Sequence, residues 1–157
     1  MASRNEGSHT HPRSTAQIGG HPIHPMLIPF PIVCFIGALV ADIVFLNNHL
    51  HGWATASRYL LAVGLVMAAL AAVAGLTDFM GDERVRHSSD ALKHMLANVT
   101  AVILEIINLF LRLNNDAAIG KIGVYLSAIV VLILLYSGWK GGELVFRHGI
   151  GVNDATS

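Results

Sequence analysis

Charge is scarce in this chain. Of its 157 residues only 13% are charged, with ten Lys plus Arg balancing ten Asp plus Glu, about half the quarter that soluble domains carry. That deficit argues against a soluble enzyme of ordinary composition. Zero formal net charge also removes the clustered Lys and Arg that phosphate contacts need, which excludes nucleic acid as a partner. The single cysteine, Cys34, can form no internal disulfide and no cluster built on several thiolates, and in its apolar setting it reads as packing. Nucleotide-binding and hydrolytic signatures are missing too: there is no Gly-x-Gly-x-x-Gly, phosphate loop, serine elbow or His-Glu-x-x-His helix. Nothing marks the chain as an enzyme, and no internal repeat is visible.

What is abundant is apolar sequence, at 54% of residues. A bilayer core about 30 Å thick needs roughly 20 apolar residues in a helix, and four such stretches occur, near 26–46, 59–79, 93–113 and 120–139. The second and fourth contain cores, Tyr59 to Leu76 and Ile122 to Trp139, without a single charge. These are too long for strands and too uniform for half-solvated helices. The expected fold is an all-α, four-helix transmembrane bundle in antiparallel up-down order, its termini on one side. Residues 1–19 form a mobile polar tail, 20–152 the membrane domain and 153–157 a short C-terminal tail. Arg4, Arg13, Arg84, Arg86, Lys93, Lys140 and Arg147 lie on the side of the termini, against Arg58, Arg112 and Lys121 opposite. The positive-inside rule then places both termini in the cytoplasm. In helix two, Gly64, Ala68 and Ala72, with Ala71 and Gly75, offer small surfaces for close helix approach.

Nine histidines are the compositional exception. His9, His11, His21, His24, His87, His94 and His148 fall on the predicted cytoplasmic side, and only His49 and His51 lie opposite. Neutral imidazole is a common metal and haem-iron ligand. In His21-Pro22-Ile23-His24-Pro25 each histidine precedes a proline and is pushed to extended geometry, and a polyproline helix would place the two about 9 Å apart. That separation is too wide for both to chelate one ion, so each is expected to work with a partner from another helix. Pro29 and Pro31 would each delete a backbone hydrogen bond in a helix already begun, so the helix starts late or its first turns are irregular.

On the third span His94, Asn98, Ala101, Glu105, Asn108 and Arg112 recur at steps of three and four, a stripe within about 40° of one line. It must face the bundle interior, since a lipid-facing carboxylate costs about 3 kcal/mol. Glu105 lies about 16 Å deeper than His94. Tyr125 or Ser127 could accept its hydrogen bond, Asp42 is placed to pair with Arg112, and Asp78 ends helix two near the histidines, solvated or orienting one of them.

Gly20-His21-Pro22-Ile23-His24-Pro25-Met26-Leu27-Ile28-Pro29-Phe30-Pro31, Gly75-Leu76-Thr77-Asp78, the His94 to Asn98 spacing, and Gly141-Gly142-Glu143-Leu144-Val145-Phe146 through His148-Gly149-Ile150-Gly151-Val152 together resemble domain-of-unknown-function family 2231, small predicted four-helix bacterial membrane proteins. The resemblance covers about residues 20 to 152. Some members are joined to Rieske-type or cytochrome c domains, which implies a redox neighbourhood. This chain has no Cys-x-x-Cys-His, so a haem would be held non-covalently and the electron-transfer partner would be a separate protein.

The reading favoured here is a small b-type haem protein with His94 opposite His24 or His21 as axial ligands. His87 and His148 stand in reserve, and a metal ion on these five histidines is the lesser variant. A competing reading is a proton- or ion-conducting module along Asn98, Glu105 and Asn108, in which a homo-oligomer would supply the rest of the pathway. A third is a non-catalytic assembly or anchoring subunit whose polar residues specify helix packing.

Overall fold

A computed structural model of the chain describes residues 14–150. It opens with a short hairpin, β1 (Gln17–Ile18) and β2 (His21–Pro22). The helices are α1 (Ile23–Leu27), α2 (Pro29–Asn48), α3 (His51–Gly81), α4 (Glu83–Arg86), α5 (Ser89–Arg112) and α6 (Val124–Phe146), and a π-helical turn, Ile119–Gly123, leads into α6. Gly19 and Gly20 join the two strands with φ of +58° and +82°. Positive φ at both central residues is what a tight two-residue hairpin turn requires and what glycine supplies without strain.

Four helical segments, Ile23–Asn48, His51–Gly81, Ser89–Arg112 and Ile119–Phe146, are long and apolar enough to cross a membrane. They run past the boundaries expected from the sequence at most ends, by eight residues at His51 and seven at Phe146. The first is irregular where the prolines predict it. Prolines at 29 and 31 have no N–H to give to the carbonyls of Pro25 and Leu27, and helix α1 passes into α2 at Ile28, which is held by an Ile28 N–H to His24 O bond of 3.2 Å. His21 and His24 therefore do not share a polyproline segment: His21 is on β2 and His24 in α1.

The bundle is inside-out relative to a soluble one. Asp42, Ser57, Glu105, Asn108, Arg112 and Ser127 are fully buried, while Val73, Phe110, Leu132 and Trp139 are each about 70% exposed. Apolar side chains of this size directed outward on every long helix suit a lipid surround and not water. The stripe on α5 accordingly faces inward, with Ala101, Glu105, Asn108 and Arg112 all buried.

Contacts set the helix directions. His24 at the start of the first span reaches Ala71 late in α3, and Asp42 near the end of α2 reaches Ser57 early in α3. His94 likewise reaches Ser137, and Arg112 reaches Ser127. Each hairpin is thus antiparallel, and α2 on α6 and α3 on α5 join the two hairpins. Phe35, Ala38, Leu61, Ala68, Ala101 and Val130 form the shared core.

The two hairpins repeat one another, although no repeat is visible in the sequence. Buried Pro31, Phe35, Ala38 and Asp42 on α2 correspond to buried Ala101, Glu105, Asn108 and Arg112 on α5 at a constant shift of 70 residues, and the same shift superposes His24 on His94. At a second constant shift, buried Ser57, Leu61, Gly64 and Ala71 of α3 correspond to Gly123, Ser127, Val130 and Ser137. The repeat escapes sequence inspection because its paired positions differ in chemistry, Phe35 against Glu105 and Asp42 against Arg112. What they share is position on the buried face.

Residues 14–19, from the tail segment expected to be mobile, are bonded to the bundle. One oxygen of Asp78 accepts bonds from Ser14 Oγ and from the backbone N–H groups of Thr15 and Ala16, all at 2.8 Å. Among the described residues Asp78 bonds no histidine. It anchors the strap that leads into the His24 elbow, where Ile23 N–H bonds Ala16 O at 2.9 Å.

Candidate functional site

Two groups of polar side chains occupy the bundle interior. The first lies at the end that carries Ser14 and His148, where His24 and His94 meet with ring centroids 6.3 Å apart and planes at 87°. His24 Nδ1 lies 2.7 Å from the backbone oxygen of Ala71. His94 Nδ1 lies 2.8 Å from that of Ser137 and 3.0 Å from Ser137 Oγ. A carbonyl oxygen can only accept, so each Nδ1 carries a proton, and in the neutral ring Nε2 keeps its lone pair. Asn98 Nδ2 lies 3.1 Å from Nε2 of His94. Among the described residues none bonds Nε2 of His24.

Both rings reach their carbonyls by the same device. Four residues beyond Ala71 stands Gly75, where a Cβ would fall 2.7 Å from His24 Cε1, and four beyond Ser137 stands Gly141, where a Cβ would fall 3.1 Å from His94 Cε1. A helical carbonyl points along the axis toward residue i+4, so a missing side chain there opens the approach. No side-chain pattern could have flagged Ala71 or Ser137, because the acceptor is backbone.

The other candidate histidines do not join this pair. His21 and His87 are exposed, and His148 Nε2 bonds Asp90 Oδ2 at 3.2 Å. His9 and His11 lie outside the described residues, among which no group of three or more His, Cys, Asp or Glu side chains is placed to hold a metal ion.

The second group lies deeper and takes a residue from each long helix. Asp42 Oδ1 accepts from Arg112 Nη1 and Ser57 Oγ, both at 2.6 Å, and Oδ2 accepts from Ser127 Oγ at 2.8 Å. Arg112 also donates to Ser57 Oγ at 2.7 Å and to Asn108 Oδ1. The Asn108 amide donates to Ser127 Oγ at 3.0 Å and to Glu105 Oε2 at 2.8 Å. Tyr125 takes no part and is exposed. Ser57 carries no motif, so its role was illegible in sequence. Gly123 makes room for the guanidinium, since a Cβ there would fall 2.6 Å from Arg112 Nη2.

Ion pairs ring the ends of the bundle. At the loop end Asp116 receives His51 Nδ1 at 2.8 Å and the Arg58 guanidinium. The His51 hydrogen bond, helped by Arg58, holds the Asp116 carboxyl below the usual carboxylate range.

Four long apolar helices enclosing a polar, ion-paired interior define an integral membrane protein in contact with lipid. The chain belongs to DUF2231, a family described as predicted membrane protein, whose model matches residues 20–154. Comparisons with curated proteins and with solved structures give no match.

Proposed function

We propose that this chain is a small b-type haem protein of the bacterial inner membrane, with both termini cytoplasmic and His24 and His94 as the axial ligands. The observation that carries the reading is the pair itself. Two half-buried imidazoles from separate hairpins have both Nδ1 atoms committed to backbone carbonyls, the arrangement by which outer hydrogen bonds orient metal-ligating histidines; His24 Nε2 has no bond among the described residues, and His94 Nε2 has only the Asn98 amide.

Their separation suits one centre between them. Two metal–imidazole bonds of about 2 Å each, with about 1 Å more from each nitrogen to its ring centre, span roughly 6 Å, against the 6.3 Å found. His24 and His94 alone would leave a bare metal ion short of ligands, whereas a haem iron, with its remaining ligands supplied by the porphyrin, would need only these two residues. Asn98 would have to release His94 Nε2. Bound there, haem would supply one-electron chemistry, exchanged with a separate electron-transfer protein. The chain's own part is to fix two ring planes with Ala71, Ser137, Gly75 and Gly141.

Purification in detergent followed by an absorption spectrum tests this. A Soret band that is lost in both His24→Ala and His94→Ala is expected. Absence of the band, also after reconstitution with haemin, would sink the reading.

A further inference from the structure

We propose that Glu105 is an intramembrane proton-binding site, occupied at neutral pH. This stands on the second polar group alone and does not depend on a haem at the histidines. Glu105 is fully buried, on the α5 stripe between Ala101 and Asn108. Its Oε2 receives a single donor, the amide of Asn108, and its Oε1 has no partner among the described residues.

The neighbouring charges are already matched. Asp42 on α2 is the carboxylate that Arg112 pairs with, and it collects three donors from α3, α5 and α6. Ser57 and Ser127 contribute hydroxyls and no charge. With Asp42 negative and Arg112 positive the cluster is neutral, so an ionised Glu105 would add an unmatched negative charge inside a low-dielectric bundle, which is costly. One amide donor cannot replace the hydration such a charge gives up. A cation on Glu105 removes that unmatched charge, and a proton is the one that needs no coordination shell; carried on Oε1, it leaves Oε2 as the acceptor of the Asn108 amide. Position 35, its counterpart in the first hairpin, is Phe, a neutral side chain in the equivalent core site.

Infrared spectroscopy of the full chain in lipid nanodiscs tests the proposal. At neutral pH a protonated-carboxyl C=O band is expected that downshifts on ¹³C-glutamate labelling and disappears in Glu105→Gln. The amide is the neutral near-isostere of a protonated acid, so Glu105→Gln should unfold at the same temperature as the parent. The labelling measurement uses the unmodified sequence and decides the matter even if the variant fails to fold. Either of two results would overturn the proposal: no label-sensitive protonated band at neutral pH, or a band that vanishes when sodium replaces choline at constant pH, which would make the occupant a metal cation.

Discussion

Removing Asp42 should be the most damaging single change in the bundle interior. Asp42→Ala deletes three hydrogen bonds, from Arg112, Ser57 and Ser127. Polar bonds within membrane bundles average about 0.6 kcal/mol, so the bonds by themselves account for roughly 2 kcal/mol at most. The larger loss comes from Arg112, whose side chain has no exposure. Left without its counter-charge, a buried cation raises the total to about 3–5 kcal/mol. Asp42→Asn keeps an acceptor at Oδ1 and should fall below Asp42→Ala. Arg112→Met in the Asp42→Ala background removes the stranded charge, so the double variant should be more stable than Asp42→Ala alone. The assay is reversible unfolding in mixed micelles followed by helical circular dichroism, analysed as a double-mutant cycle. Additive effects of the two substitutions would refute the reasoning. The duplicated hairpins extend it: exchanging the charges as Asp42→Arg with Arg112→Asp places a guanidinium against Ser57, at the position where the second hairpin has Gly123. Adding Ser57→Gly to the exchanged pair should recover stability.

Gly75→Ala and Gly141→Ala should each displace a histidine ring, His24 and His94 respectively, because their Cβ atoms would fall 2.7 Å and 3.1 Å from imidazole carbons. Shifted His24 and His94 ring resonances in NMR, with helicity retained, would check this. Asp78→Ala should release the strap, seen as faster amide hydrogen exchange at Thr15 and Ala16, whose N–H groups it holds, with little change at Asp42. Asp116 has a carboxyl held low by His51 and Arg58. Its stabilising contribution is therefore present above the unfolded carboxylate pKa and lost as pH falls through the depressed folded value. Its partly exposed setting limits the effect to about 1 kcal/mol or less, and Asp116→Asn should flatten that acid limb in a pH series of unfolding curves.

Much of the architecture was legible because lipid imposes a one-dimensional rule. A spanning helix must be long and apolar, so run length finds all four spans, Ile23–Asn48, His51–Gly81, Ser89–Arg112 and Ile119–Phe146, although the second starts eight residues before and the fourth ends seven residues after its apolar run. The α5 stripe was legible as well, since polar groups in lipid have one acceptable direction. Proximity across helices was far less legible. The sequence put Asp42 and Arg112 at the same depth, but the serines and the asparagine that complete their network share no spacing rule with them. The sequence left His24 and His21 as alternatives opposite His94, with His87 and His148 in reserve, and packing brought only His24 and His94 together.

The chain by itself therefore determined the membrane class, the four spans and which face of α5 turns inward, because hydrophobic length and helical period are local properties of residues in order. The tertiary structure alone decided that two hairpins repeat one another, that Asp78 clasps the strap, and that backbone carbonyls at Ala71 and Ser137 orient two facing imidazoles. Those relations depend on helix rotation and on the absence of a Cβ at Gly75, Gly141 and Gly123, quantities set by packing between segments far apart in the chain.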